Sequence, residues 1–208
     1  AGLGNDDIDL DALPSGFAAN LMINGDADGD QLDIDGAIDL NAGSFSVATI
    51  ETINVNNQIT ADGGITFTSP STTNLSANLQ TDGGDVTITG GQIVLAQSTT
   101  TLDTESGNDT AAGSINLTGT STSGDALGSR NLSLDTTTGG TTSGSITLGT
   151  LNAAGSSAVV DVAANATHGT PASGGDVTFS GDGSISGSFD IDGRTITVNA
   201  NVDLDTSS

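Results

Sequence analysis

The sequence predicts an all-β fold, a parallel β-helix (β-solenoid), from its composition, its two-residue apolar spacing and a longer glycine-marked repeat. The 208 residues include two Lys or Arg and 26 Asp or Glu, which gives a net charge of −24. Strong helix formers such as Glu, Lys, Gln and Arg are scarce. Gly, Ser, Thr, Asn and Asp dominate, and these residues compete with helical hydrogen bonds. The composition therefore favours strands and turns.

Pairs of apolar residues with one polar residue between them recur along the chain. Residues i and i+2 of a strand point to the same side, so each pair places two apolar side chains inward. Leu, Ile, Val and Phe make up only 47 of 208 residues, close to the roughly 20% level below which charged chains stay unfolded. The pattern, rather than the composition, argues against disorder. The predicted core ladder is Ile65, Phe67, Val86, Ile88, Ile115, Leu117, Leu132, Leu134, Ile146, Leu148, Val177, Phe179, Ile196 and Val198.

A small-residue step precedes five of the predicted strands, at Gly64, Gly84, Gly113, Gly144 and Gly175. These glycines are 20, 29, 31 and 31 residues apart, and periods of this size are typical of solenoids. Each unit has too little apolar surface to form a core alone, so stacking turn on turn is the economical solution. A sandwich or barrel could use similar strands but does not need this period.

The chain divides into two predicted parts. Residues 1–31 are the least regular and are predicted to form an N-terminal cap or irregular lead-in, with a turn at 13–17 and a short helical or capping element at 18–22. Residues 32–208 are predicted to form the β-solenoid repeats. Because residues 1–5 contain neither a start methionine nor a basic signal segment, we expect a mature or excised piece.

Residues 24–35 are the strongest candidate for a metal site. Asn24, Asp26, Asp28 and Asp30 occupy positions 1, 3, 5 and 7 of a calcium loop, with Gly29 at 6 and Asp35 at 12. Position 12 lacks the usual Glu, flanking helices are missing and residues 32–34 have a strand pattern, so an acidic solvated turn is the competing interpretation. No cofactor is predicted to be required, and calcium is the candidate ligand. The net charge also predicts a general stabilising effect of cations.

Charge and residue content argue against several classes of function. Nucleic acids and anionic membranes are excluded as partners because both need clustered Lys or Arg. Polysaccharide-cleaving enzymes need aromatic platforms or basic residues, and this chain has five Phe and two Arg. His168 falls in a predicted exposed loop, and pairs among so many aspartates are expected by chance. We therefore predict no enzymatic activity. Ice binding is disfavoured because no Thr-x-Thr rank repeats at constant spacing.

Residues 113–120 (Gly-Ser-Ile-Asn-Leu-Thr-Gly-Thr), 130–136, 144–149 and 174–181 resemble the repeats of filamentous-haemagglutinin-like bacterial surface adhesins. The likeness covers roughly residues 32–208 and lies in the style of the repeat. It implies a right-handed parallel β-helix shaft, an extracellular or outer-surface location, and a role in adhesion, biofilm matrix or fibre assembly. The resemblance carries no catalytic residue.

The predicted function is a non-catalytic shaft or filament-forming subunit. Open solenoid ends and edge strands carry unpaired backbone groups, so we expect a homo-oligomer or polymer formed through them. The alternative is an adhesin segment that binds a receptor or glycan through loops at 120–130 or 139–144. A polysaccharide-degrading β-helix enzyme is the third interpretation.

Overall fold

The structure is a computed structural model that describes residues 4–107, 111–125, 127, 129–152, 159–167, 173–199 and 201–206. The regular elements in these residues are all β-strands. They are β1 (Asp7–Leu10), β2 (Leu21–Asn24), β3 (Gln31–Ile34), β4 (Ile38–Asp39), β5 (Phe45–Ala48), β6 (Thr52–Val55), β7 (Ile59–Thr60), β8 (Ile65–Leu75), β9 (Leu79–Gln80), β10 (Val86–Leu95), β11 (Thr99–Asp103), β12 (Ile115–Gly124), β13 (Arg130–Asp135), β14 (Ile146–Leu148), β15 (Leu151–Asn152), β16 (Val159–Asn165), β17 (Asp176–Phe179), β18 (Gly183–Ser184), β19 (Phe189–Asp192), β20 (Thr195–Val198) and β21 (Leu204–Asp205).

The strands form one sheet of 14 strands and another of seven, and every ladder between them is parallel. The larger sheet has two halves, because β8, β10 and β12 each contribute their first residues to one half and their last to the other. Face A is the half containing β2, β5, β14, β17 and β20, and face B is the half containing β1, β3, β6, β15, β18 and β21. Face C is the seven-stranded sheet of β4, β7, β9, β11, β13, β16 and β19.

The chain visits faces A, B and C in that order again and again, and we call one such passage a circuit. The pairing on face A aligns Leu21, Phe45, Ile65, Val86, Ile115, Ile146, Val177 and Ile196 in one column. Successive members of this column are 24, 20, 21, 29, 31, 31 and 19 residues apart. The predicted all-β architecture with parallel strands is confirmed, and the described ladders exclude an antiparallel sandwich.

Inward-facing side chains of the three faces form one buried core. Twelve of the 14 predicted ladder residues are at most 1% exposed. Ten of these lie in two columns on face A, while Leu132 and Leu134 lie on face C. Apolar area removed from water contributes about 25 cal/mol per Å², so this shared core is the main source of stability.

The ladder prediction is wrong for Ile196 and Val198, which are 52% and 46% exposed. Both lie on β20, in register with Val177 and Phe179 of β17. No strand in the described part of the chain pairs with the other side of β20. Their side chains therefore continue the columns without being covered.

Within the predicted cap or irregular lead-in at 1–31, the described residues 4–31 differ from the prediction. Strands β1 and β2 lie in this segment and pair in parallel with β3 and β5. The predicted turn is present, since the Phe17 N–H donates to the Pro14 carbonyl at 3.1 Å. Residues 18–22 do not form a helix; residues 18–20 lead into β2, and residues 21–22 belong to it. The segment extends the same stack of strands, because its apolar residues keep the two-residue spacing.

One core hydroxyl has no hydrogen-bond partner among the residues that the structure describes. Thr100 on β11 is fully buried, and it lies beside Leu132 of β13. An unsatisfied buried hydroxyl is costly, so we expect Thr100→Val to raise the free energy of unfolding by about 1–2 kcal/mol. Urea denaturation measures the change, with Thr101→Val on the outward side of the same strand as the control. A loss of stability in Thr100→Val alone would contradict the expectation.

Candidate functional site

The segment predicted to bind calcium forms the corner between faces A and B, from β2 to β3. Asp30 is 1% exposed, and its carboxylate accepts the N–H groups of Asp6 at 3.0 Å and Asp26 at 2.9 Å. These hydrogen bonds, led by that from Asp6, hold the pKa of Asp30 below its ordinary value. The Asp26 carboxylate accepts the N–H of Asp28 at 3.0 Å. Peptide N–H groups therefore engage the oxygens that were predicted to bind a metal.

The predicted ligands are not brought together. Asn24 ends β2, and Asp35 lies beyond the far end of β3 from Asp30. A strand rises about 3.3 Å per residue, so Asp30 and Asp35 are held roughly 16 Å apart. Asp35 instead accepts the Nδ2 group of Asn56 at 2.8 Å. The five predicted ligands, Asn24, Asp26, Asp28, Asp30 and Asp35, therefore do not form one metal site in the described residues.

Three other carboxylates converge at the start of face B. Oxygens of Asp7, Asp9 and Asp33 lie within 4.8 Å of one another, because β1 pairs with β3 and sets Asp9 beside Asp33. Asp33 also accepts Gln31 Nε2 at 2.7 Å and Asn54 Nδ2 at 2.6 Å. Repulsion from Asp7 is the main cause that raises the pKa of Asp9, followed by burial and by Asp33. This acidic cluster carries repulsion that protons or cations can relieve.

The acidic cluster was missed because it depends on the pairing of strands 24 residues apart. A signal was present in the sequence, since residues 7–10 and 31–34 both alternate polar and apolar residues with an Asp in the third position. Aligning the two segments by this alternation places Asp9 next to Asp33. The pairing partner of a strand, however, is not specified by the alternation alone.

Asp9→Asn is expected to raise the melting temperature at pH 7. The raised pKa means that folding strengthens proton binding at Asp9, so its contribution to stability falls as pH rises from about 4. The variant should therefore lose less stability than the parent as the pH is raised from about 4 to neutrality. Added NaCl should reduce the difference in melting temperature between Asp9→Asn and the parent, because salt screens exposed charges. Thermal unfolding checks this, with Asp203→Asn as a charge-matched control outside the acidic cluster; equal gains in both variants would contradict the role of the acidic cluster.

Both arginines are engaged in ion pairs. Arg130 lies 2.7 Å from Asp125, and Arg194 lies 2.8 Å from Asp176. Hydrogen bonds from these guanidinium groups lower the pKa of each aspartate. The two side chains thus neutralise nearby carboxylates. His168, the other residue weighed for catalysis, lies outside the described residues.

Two shallow grooves lie on the outer surface. The groove on face C has a volume of about 190 Å³ and is lined by Asp135, Asp190 and Asp192 among small residues. The groove on face A, about 320 Å³, lies between Ser44 and Asp85, where Gly64 has no side chain to fill the gap. Both grooves offer carboxylate and hydroxyl oxygens. Such oxygens can bind water, cations or sugar hydroxyls.

The outer side of face A carries a row of hydroxyl groups. The row consists of Ser46, Thr66, Thr87, Thr147, Thr178 and Thr197, with Asn116 between Thr87 and Thr147. In a second row, the Oγ1 atoms of Thr68 and Thr89 lie 3.5 Å apart. Two residues after Thr147 and Thr178 the chain has Gly149 and Ser180, so the row does not continue as a Thr-x-Thr rank. Unequal circuit lengths hide the row in the sequence.

Comparison of the chain with known protein families, with curated proteins and with solved structures finds no match. The resemblance to adhesin repeats therefore stays a prediction. Among the described residues there is no helix that could cross a lipid bilayer.

Proposed function

We propose that the chain is a right-handed parallel β-solenoid and serves as a non-catalytic shaft segment of a secreted or cell-surface protein. The observation that carries this proposal is the column of buried apolar residues that stays in register across successive strands of face A. Eight strands contribute to face A. At about 4.8 Å per step, they give a rod of roughly 34 Å.

Two properties of such a rod suit a shaft. Continuous backbone ladders join each circuit to its neighbours, so bending the rod strains many hydrogen bonds at once. The outer surface carries Thr, Ser, Asn and Asp side chains and a net charge of −24, which keeps the rod soluble and discourages lateral aggregation. Both properties suit an elongated structural element outside the cell.

Association with another strand is proposed to occur at the exposed end of the stack. β20 has one unpaired side among the described strands and displays Ile196 and Val198. An unpaired strand with partly exposed apolar side chains is a template for further parallel pairing. A second copy, or further circuits of a longer chain, would bury these residues.

The alternative function is that of an adhesin segment. Of the two predicted binding loops, 139–144 lies at the corner between faces C and A, whereas residues 120–124 belong to β12. Loops on a rigid scaffold are common recognition sites. This alternative requires a receptor or glycan that binds the isolated chain.

Small-angle scattering, light scattering and a glycan array test the proposal together on the purified chain. A shaft segment predicts association that increases with salt, rod-like scattering from the associated particles, and no glycan bound. A particle that stays monomeric at all salt concentrations would overturn the shaft proposal. A rod that binds a glycan or an intact bacterial or host cell would establish the adhesin alternative.

A further inference from the structure

Among the corners of the described stack, the one between faces C and A lengthens most. From β9 to β10 this corner spans residues 81–85, from β11 to β12 it spans 104–114, and from β13 to β14 it spans 136–145. The strands on both sides stay in register despite these insertions. The ends of these loops must therefore be held at the same positions although the loops differ in length.

A buried threonine lies at the base of each of these corner loops. Thr81, Thr104 and Thr136 are all 0% exposed. Their hydroxyls donate to the carbonyl of the glycine that precedes face A: Thr81 to Gly84 at 2.5 Å, Thr104 to Gly113 at 2.7 Å and Thr136 to Gly144 at 2.7 Å. We call each threonine–glycine pair a clamp. The clamp closes the loop in the same way whether two, eight or seven residues lie between the pair.

The three clamps are aligned along the stack. The Thr81 N–H donates to the Asp103 carbonyl at 2.8 Å, and the Thr104 N–H donates to the Asp135 carbonyl at 3.0 Å. Each threonine is therefore tied to the next circuit through its backbone and to its own loop base through its hydroxyl. The Thr136 N–H donates in the same way to the Asn165 carbonyl at 2.9 Å.

The first residues of the loops are also fixed in a repeated way. The Asp103 carboxylate accepts the Glu105 N–H at 3.0 Å, and the Asp135 carboxylate accepts the Thr137 N–H at 2.8 Å. Aspartate side chains that bond the backbone two residues later are typical turn formers. The backbone of the first two loop residues therefore has the same turn in both circuits, whatever the sequence of the rest of the loop.

We propose that the clamp makes the corner between faces C and A an insertion point, which carries loops of different length and sequence without disturbing the core. The two ends of each loop are joined by a buried hydrogen bond, so the strands on both sides keep their register whatever the loop length. The loop residues next to face A still bond to the neighbouring circuit, as the Ala112 N–H does to the Thr142 carbonyl at 3.0 Å. Loop closure itself adds little cost as a loop lengthens, since the entropy grows only with the logarithm of its length. On the shaft proposed above, this corner is the edge where variable loops are displayed.

Removing one clamp hydroxyl tests the first half of the proposal. Thr136→Val keeps the side-chain shape and removes the donor, Thr136→Ser keeps the donor, and Thr147→Val on the outer row is the control. Hydrogen exchange of residues 137–143 should accelerate on the order of tenfold in Thr136→Val only. If Thr136→Val and Thr136→Ser exchange alike, the hydroxyl is not the clamp.

Changing the loop length tests the second half. Six Gly or Ser residues inserted between Gly139 and Gly140 should lower the melting temperature by less than about 2 °C, and by several degrees more in the Thr136→Val background. Replacing residues 137–141 by Asp-Gly, the pair that follows Thr81, should leave the circular dichroism spectrum unchanged. Thr142 and Ser143 are kept because they bond to Ala112 and Ser173 of the adjacent circuits. If Thr136→Val does not fold, the insertion and the replacement, each made in the parent chain, still test the proposal. A fall of more than about 5 °C in either would overturn the proposal.

Discussion

Phe67→Ala is expected to lower the free energy of unfolding by about 3–5 kcal/mol. The Phe67 ring is fully buried on face A and packs edge-on against Phe45 of the preceding circuit, with ring centroids 5.6 Å apart. Truncation removes this contact and leaves a cavity in the column. Neighbouring circuits cannot collapse into it without breaking their backbone ladders. The measured loss in the free energy of unfolding should therefore include most of the cost of removing the ring from the core and of the cavity that it leaves.

Urea denaturation monitored by circular dichroism measures the effect of Phe67→Ala. Leu127→Ala is the control, because Leu127 is 87% exposed and surface substitutions usually change stability by less than about 0.5 kcal/mol. Similar losses in the two variants would mean that Phe67 does not face a packed interior.

Gly144→Ala should destabilise the chain by about 2 kcal/mol or more. A Cβ at Gly144 would overlap the backbone carbonyl of Gly113 in the preceding circuit. The overlapping group belongs to the main chain, so relief requires moving one circuit relative to the next. Gly113 and Gly175 have the same environment, which is why a small residue recurs at this step of the repeat.

Thermal unfolding checks Gly144→Ala, which should melt at least about 4 °C below the parent chain. Gly29→Ala is the matched control, since the nearest atom to its added Cβ is Asn5 Nδ2 at 3.4 Å. A variant Gly144→Ala that melts with the parent would show that the circuits do not approach each other closely at this corner.

The strands and the repeat could be predicted because each rests on a local rule. Polar and apolar residues alternate wherever one side of a strand is buried, so the two-residue spacing located the columns on face A. The glycine step marked the corner because only a residue without Cβ permits the close approach there. Both signals lie within a few residues and need no knowledge of the pairing partner.

Features that depend on pairing or on extended geometry were not predictable in this way. Alternation shows which way Ile196 and Val198 point but not whether another circuit covers them. The calcium motif counts ligands along the chain, and an intervening strand separates Asp30 from Asp35. Within the predicted helical element at 18–22, Leu21 and Met22 are extended because pairing with β5 overrides local preference.

Pulsed electron paramagnetic resonance on pairs of spin labels tests the stacked circuits most directly. The chain contains no cysteine, so Ser46→Cys combined with Thr147→Cys or Thr178→Cys places both labels on the outer row of face A. The two pairs are four and five circuits apart, which predicts backbone separations of about 19 Å and 24 Å. Narrow distributions that differ by about one 4.8 Å step support parallel stacking in register. Broad distributions, or a shorter distance for the second pair, would contradict it.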